Sequence, residues 1–237
     1  MKQVLRAMRP FLTEITHDFM MAACVAGPIL MGAAFRFLIP VLERLLCGRF
    51  GAVQMLAPYY IIFDLLLAIM TPLLFCFAGV LVILEELDCG VAKYYAVTPI
   101  GKRGYLLSRI GIPALIALVY NAALLCIFSI LNIDFAMIIL LSVSGGLTAV
   151  LISLLVVSFA KNKMEGMALV KLCGLLLIGI PVAYFVASPV RYLFGVFPSF
   201  WMAELCITQN YLYFLPAVFS SCLMIRDLYG RFKKRLL

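Results

Sequence analysis

Charged residues are scarce in this sequence. Asp, Glu, Lys and Arg make up 13% of its 237 residues, whereas hydrophobic residues make up 66%. A water-soluble domain is about 25% charged, because polar side chains have to cover its surface. The shortage therefore excludes a soluble protein and predicts an integral membrane protein that has lipid as its main solvent.

Patterns that carry catalysis or bind metal are also missing. The chain has a single histidine, His17, and its eight cysteines form no CxxC pair, which argues against a zinc site. No GxSxG or HExxH motif occurs, and the stretch Gly101-Lys102-Arg103 lacks the upstream glycine and the Ser/Thr of a nucleotide-binding loop. We therefore expect no enzyme activity, no metal and no cofactor bound by this chain.

Long charge-free runs are present instead. An α-helix rises about 1.5 Å per residue and the hydrocarbon core is about 30 Å thick, so about 20 apolar residues cross it. Such runs exclude the alternating strands of an outer-membrane barrel. We predict an all-α, polytopic membrane protein with six transmembrane helices. The six runs are Phe19–Phe35, Leu65–Leu84, Ile110–Ile133, Phe135–Ala160, Leu172–Val190 and Leu205–Ile225.

The distribution of basic residues predicts the orientation. If the N-terminus is cytoplasmic, fifteen of the 19 Lys and Arg fall in cytoplasmic segments, as the positive-inside rule requires. Both termini are then cytoplasmic. The basic residues are spread over four segments, so we expect anionic membrane lipid as a partner and no nucleic acid.

The whole chain, 1–237, is predicted to be a single transmembrane domain. Residues 1–17 place apolar side chains opposite Lys2, Arg6 and Arg9 on a helical wheel, which predicts an amphipathic interfacial helix. The outer loop after the first span is expected at about 41–57, a cytoplasmic link at 161–171, and a polybasic lipid-binding tail after Ile225.

An outer segment, 189–209, is rich in aromatic residues and contains the only tryptophan. Aromatic side chains prefer the membrane interface, so we predict a re-entrant segment that includes Phe197, Pro198 and Trp201. Cys47 and Cys206 both fall on the predicted outer side, and whether they form a disulfide is left open.

Two polar residues fall within or beside the predicted spans. Asp64 lies near the start of the second span and Asn121 is central in the third. Both are candidate pathway residues, because polar groups in a membrane are costly and often line a cavity or an ion site. The alternative is structural: Asp64 lies at the outer interface and Asn121 makes an interhelical hydrogen bond.

The polar stretch 85–109, between the second and third runs, is more elaborate than a connector requires. It contains Glu86-x-Asp88-x-Gly90, followed by Thr98-Pro99 eight residues beyond the glycine. This pattern resembles the ABC type-2 permease family, the membrane subunits of many bacterial ATP-driven exporters. Members carry Glu-x-Glu-x-Gly-Thr and then Thr/Ser-Pro at the same spacing; here Asp88 replaces the second Glu and Val91 the Thr.

The resemblance implies a multi-pass protein of the bacterial inner (plasma) membrane. It would work with a separate cytoplasmic ABC ATPase subunit, which binds the ATP and Mg, and would pair with a second permease as a homodimer or heterodimer. The loop 85–104 would be the coupling loop that docks on the ATPase. Its proposed contacts are Glu85, Glu86, Asp88, Gly90, Tyr94, Tyr95, Thr98 and Pro99.

The predicted function is export of an amphipathic or hydrophobic substrate, such as a drug, an antimicrobial peptide or a lipid-like molecule. The sequence does not identify the substrate. Two alternatives stay open at this stage. One is an ion-coupled secondary transporter that uses Asp64, and the other is a non-transporting membrane subunit with an immunity or assembly role.

Overall fold

The computed structural model describes residues 19–51, 53–90 and 101–235, with side chains in 22–51, 53–90 and 104–232. Within these ranges the secondary structure is entirely helical. The predicted interfacial helix 1–17 lies outside the described residues. The α-helices are α1 (Phe19–Ala33), α2 (Ile39–Phe50), α3 (Tyr60–Asp88), α4 (Gly101–Leu106), α5 (Ile112–Phe128), α6 (Phe135–Phe159), α7 (Lys163–Cys173), α8 (Gly179–Phe185), α9 (Pro198–Thr208) and α10 (Phe214–Arg235).

Short 3₁₀ and π segments join several of these α-helices into longer continuous helices. A π turn, Ala34–Leu38, joins α1 to α2, and another, Leu107–Gly111, joins α4 to α5. The 3₁₀ turn Gly174–Ile178 joins α7 to α8. The six predicted spans are confirmed as helices long and apolar enough to cross a membrane. They are numbered here from first to sixth: Ala22–Phe50, Ala57–Asp88, Gly104–Phe128, Phe135–Phe159, Lys163–Phe185 and Tyr211–Phe232.

The second and fourth spans form the centre of the bundle. In each, 67% of the most apolar stretch is buried by protein, against 17% in the first and sixth spans. The side rich in Lys and Arg is called the cytoplasmic side here. The buried side chains form one large cluster toward that side, which includes Ile83, Tyr105 and Phe232. A second cluster toward the outer side includes Leu67, Leu125 and Phe200.

Several predicted boundaries of the helices were wrong. The outer loop expected at 41–57 is helical as far as Phe50, because charged side chains are tolerated in a helix that has left the hydrocarbon core. That helix ends at Gly51, whose φ of 65° gives a left-handed cap. The third span ends at Phe128, short of the expected Ile133.

The fifth and sixth spans also begin elsewhere than predicted. The expected link 161–171 is mostly helix, because Asn162 caps α7 by accepting a hydrogen bond from the Glu165 backbone N–H at 2.8 Å. Glu165 in turn accepts one from the Lys161 N–H at 2.7 Å, which resembles a capping box. The sixth span does not begin at Leu205, since α9 continues to Thr208 and ends where Gln209 adopts a φ of 54°. The polybasic tail continues α10 as far as Arg235.

Candidate functional site: the cytoplasmic end of the second span

The second span ends in the acidic part of the sequence motif. α3 continues through Glu85, Glu86 and Asp88, and the chain then turns at Gly90, which has a φ of 73°. A positive φ of this size suits glycine, which has no Cβ to clash with the backbone. The predicted coupling loop 85–104 therefore begins in helix, and it also ends in helix because α4 starts at Gly101. Tyr94, Tyr95, Thr98 and Pro99 lie outside the described residues.

Glu86 is held by the third span. Its carboxylate accepts a hydrogen bond from the Tyr105 hydroxyl at 2.7 Å and one from Arg109 Nε at 3.3 Å, and it forms an ion pair with Arg109 Nη2. The Arg109 side chain is 4% exposed and that of Glu86 is 13% exposed. Two guanidinium nitrogens facing one carboxylate make a strong and directional pair.

Glu85 and Asp88 contact the fifth span instead. Lys163 Nζ lies 2.8 Å from Glu85 Oε2, and the Lys163 backbone N–H donates to Asp88 Oδ2 at 3.0 Å. A carboxylate at the N-terminus of a helix such as α7 is stabilised by the helix dipole. All three acidic residues proposed to meet a partner subunit are thus engaged within the chain.

The local helix geometry explains how Arg109 reaches this position. Arg109 lies in the π turn Leu107–Gly111, four residues before Pro113. Proline has no backbone N–H, so the α-helical hydrogen bond to the Arg109 carbonyl cannot form. That carbonyl faces Gly79 of the second span so closely that a Cβ at position 79 would collide with it. The second and third spans are therefore in contact through both side chains and backbone.

Asp64, a candidate pathway residue, is 1% exposed and lies at the outer end of the bundle. Its carboxylate accepts hydrogen bonds from the Ser129 hydroxyl at 2.9 Å, the Ile130 N–H at 2.9 Å and the Leu131 N–H at 3.0 Å. Arg36 Nη1 donates to the Ser129 carbonyl at 2.6 Å. Asp64 therefore binds the end of the third span, as in the structural alternative.

A polar cavity of about 370 Å³ lies beside this turn, and its lining includes Arg36, Ser129 and Asp134. Arg36 repeats the arrangement of Arg109, since it lies in a π turn four residues before Pro40. In both spans an arginine in a π turn reaches across to the end of a neighbouring helix.

Asn121, the other candidate pathway residue, is fully buried between the second, third and fourth spans. Its Nδ2 donates to the Ala68 carbonyl at 2.9 Å. Pro72 lies four residues beyond Ala68 and cannot donate to that carbonyl, so Asn121 supplies the missing donor. The interhelical hydrogen bond expected in the structural alternative is therefore present. Asn121 Oδ1 has no hydrogen-bond partner.

The outer segment folds as the 3₁₀ turn Pro189–Val196 followed by α9, whose residues from Pro198 to Cys206 are mostly buried in the bundle. Trp201 Nε1 donates to the Gly195 carbonyl at 2.5 Å, and its ring stacks on Tyr213 with the centroids 5.9 Å apart. Phe197 lies between the 3₁₀ turn and α9, and its N–H donates to the Phe194 carbonyl at 2.9 Å, which closes the 3₁₀ turn. The re-entrant insertion of this segment into lipid stays a prediction.

Sequence reasoning did not single out Glu204 in α9. It is 1% exposed, and its Oε1 lies 3.2 Å from Arg191 Nη1, although the angle between them does not make a hydrogen bond. The hydrogen bond to the Tyr192 hydroxyl raises the pKa of Arg191, and the charge of Glu204 raises it further against the opposing effect of burial. The signal available was one acidic and one basic residue in an otherwise uncharged aromatic segment.

The thiols considered for pairing are separate. Cys206 is buried in the bundle, while Cys47 faces Glu43 at 3.5 Å, and both are free cysteines. Among the residues that the structure describes, no group of three or more His, Cys, Asp and Glu side chains could hold a metal ion.

Comparison with known proteins gives the family. Residues 11–227 match the family model described as "Fluoroquinolones export permease protein Rv2686c-like". Two relatives are the fluoroquinolones export permease proteins Rv2686c and MT2760 of Mycobacterium tuberculosis, strains ATCC 25618 / H37Rv and CDC 1551 / Oshkosh. Each is 25% identical over 190 residues, which cover 79% of this chain and 75% of the relative. No solved structure gives a significant match.

The match extends over nearly the whole chain and includes the first five spans and most of the sixth. Together with the motif that ends the second span, it shows a transport subunit rather than an enzyme, located in the cell membrane. The chain belongs to the Rv2686c-like fluoroquinolone export permease family, a group of ABC type-2 permeases.

Proposed function

We propose that this chain is the permease subunit of an ATP-driven exporter and works with a separate cytoplasmic ABC ATPase. The observation that carries the proposal is the position of the motif that ends at Gly90. It lies at the cytoplasmic end of the most buried part of the bundle and leads directly into the loop with Tyr94 and Tyr95. A force applied to that loop would act on the central second span.

The partner would bind the ATP and Mg, since the chain has no nucleotide-binding loop of its own. Tyr94 and Tyr95 are suited to docking because tyrosine offers a large contact area at a low cost in conformational entropy. Two permeases, identical or different, would enclose the transport path between them.

We propose an amphipathic or hydrophobic cargo, and a fluoroquinolone as the first to test, because both relatives are named for export of that drug class. The surface offered to cargo is apolar. On the cytoplasmic half of the bundle, a groove of about 330 Å³ is lined by residues that include Leu107, Ile110, Val150 and Tyr229. An antimicrobial peptide or a lipid-like molecule would suit the same surface.

The test combines purification with transport. The tagged permease should co-purify with an ABC ATPase from its own cells, and vesicles that contain both should move ciprofloxacin only when ATP is present. The double variant Tyr94→Ala, Tyr95→Ala should lose both co-purification and transport. Tyr211→Ala is the matched control, because Tyr211 lies on the outer side and is 51% exposed.

Transport that follows a proton or sodium gradient without ATP would contradict the proposal and favour an ion-coupled carrier. An ATPase that co-purifies while no cargo moves, with protection of cells from an antimicrobial compound, would favour a non-transporting subunit. If the double tyrosine variant transports as well as the wild type, only the docking role of the loop is contradicted, and the exporter function is not.

A further inference from the structure

The three carboxylates at the end of the second span attach it to two different helices. Glu86 contacts the third span through Tyr105 and Arg109, whereas Glu85 and Asp88 contact Lys163 at the start of the fifth span. The two attachments lie within four residues of each other and immediately before the loop that we propose to dock. Any displacement of that loop therefore reaches both neighbours through these side chains.

The two attachments differ strongly in burial. In the pair with the third span the side chains of Arg109 and Glu86 are 4% and 13% exposed, while in the pair with the fifth span Lys163 and Glu85 are 30% and 56% exposed. An exposed pair contributes little to stability because water and salt screen it. A buried pair that loses one partner leaves an uncompensated charge, which is strongly unfavourable.

The packing around the two attachments differs in the same way. Gly79 of the second span approaches a backbone carbonyl, that of Arg109, which cannot move without moving the third span. Gly166 of the fifth span approaches the end of the Leu84 side chain, which can change rotamer. The contact with the third span is thus rigid and the contact with the fifth span can adjust.

We propose that the second and third spans move as one rigid unit at their cytoplasmic ends, held by Glu86, Tyr105 and Arg109, whereas the contact of Lys163 with Glu85 and Asp88 opens and closes during export. Arg109, Tyr105 and Lys163 are positioning residues in this scheme. The scheme rests on the proposed function for its energy source, but the difference between the two contacts belongs to the permease itself.

The first experiment uses the permease alone, in lipid nanodiscs, and measures amide hydrogen exchange. Arg109→Met should raise exchange in the last turn of α3 and in 104–111 on the order of 100-fold or more, as expected for a broken buried pair. Lys163→Met should raise exchange at the start of α7 only about two- to fivefold, as expected for an exposed pair. Lys171→Met, which removes a charge from the same helix, should leave these amides unchanged.

Equal effects of Arg109→Met and Lys163→Met would overturn the proposal. If Arg109→Met does not fold, Tyr105→Phe takes its place, because it removes one hydrogen bond to Glu86 and keeps the ion pair. Its effect should still appear on both sides of the loop, in α3 and in 104–111, and should be absent from α7. Exchange raised in α7 instead would contradict a rigid second and third span.

The second experiment cross-links each contact with a short bifunctional methanethiosulfonate in cells that export ciprofloxacin. The exposed cysteines Cys89, Cys126 and Cys222 are first replaced by serine. Linking Glu85→Cys to Lys163→Cys should slow efflux about tenfold or more, because a step that requires opening is blocked. Linking Glu86→Cys to Arg109→Cys should leave efflux within about twofold of the reduced state.

Efflux that continues with the fifth span linked, or stops with the third span linked, would overturn the proposal. If the wild-type permease does not export ciprofloxacin in these cells, the proposed function fails for this cargo. The hydrogen-exchange measurement then still decides between a rigid and an adjustable contact, because it needs neither ATP nor cargo.

Discussion

Replacing Asp64 by asparagine separates a structural role from a role in the transport path. The carboxylate accepts three hydrogen bonds from Ser129, Ile130 and Leu131. An amide has only one oxygen, so Asp64→Asn keeps at most two of them and turns an NH₂ group toward the third donor. A buried donor left without an acceptor costs about 1–3 kcal/mol.

A second contribution to the free energy of unfolding acts in the opposite direction. The variant removes a buried negative charge, whose desolvation opposes folding, and the nearby Arg36 is exposed enough to stay solvated. We therefore expect a net loss at the lower end of that range, about 1 kcal/mol, equivalent to a fall in the melting temperature of roughly 2–4 °C for a chain of this size.

The assay has two readouts on the same preparation. Thermal unfolding in detergent gives the stability. Efflux per folded molecule gives the activity, and it is measured from about pH 5.5 to about pH 8.5. A carboxyl group with a raised pKa that exchanged protons in the path would titrate in this range. Ser129→Ala is the matched control, because it removes a single one of the three hydrogen bonds and should cost about 1 kcal/mol. Both variants should keep the wild-type efflux and its pH dependence.

The opposite pattern would refute the structural assignment. If Asp64→Asn keeps the wild-type melting temperature but abolishes efflux or shifts its pH profile, then Asp64 binds an ion or a proton in the path. In that case Asp64 is not needed for the three hydrogen bonds at the end of the third span.

Three further substitutions test the packing described above. Gly145→Ala should destabilise by about 1–3 kcal/mol in thermal unfolding, because its Cβ would lie 2.5 Å from the Ala68 carbonyl oxygen, whereas the adjacent Gly146→Ala has no atom within 4 Å and should not. Asn162→Ala should cost about 1 kcal/mol and raise amide exchange in the first turn of α7; unchanged exchange would argue against the cap. Trp201→Phe should cost about 1 kcal/mol through the lost hydrogen bond, and an unchanged melting temperature would show that the contact contributes nothing.

The number of spans was predictable from the sequence because a charge-free run of about 20 residues has few alternatives in a membrane protein. The ends of the spans were less predictable. A span predicted as a charge-free run ends at the first charged residue, whereas the helix itself ends where its last backbone groups are capped. Gly51 and Asn162 set two of these ends, and the Asn-x-x-Glu signal at 162–165 was present in the sequence.

The partners of the polar residues could not be derived from the sequence. Glu86 and Arg109 are 23 residues apart and face each other because two helices run antiparallel through the bundle. The sequence left a structural and a pathway role open for both Asp64 and Asn121. The structure is needed to show that Asp64 contacts the turn at Ser129. It is also needed to show that Asn121 contacts the Ala68 carbonyl, which Pro72 leaves without a donor.

The two π turns have a consequence for how the family can be aligned. A π turn contains one residue more than the α-helical turn it replaces, and one residue corresponds to about 100° of rotation in an α-helix. Deleting a single residue from Ala34–Leu38 or Leu107–Gly111 would restore a regular helix and keep everything beyond it on the same face. A regular helix without the deletion would instead rotate everything beyond the turn by that angle to another face. Relatives with a regular helix here should therefore lack one residue of the turn from which the arginine reaches across to the neighbouring span.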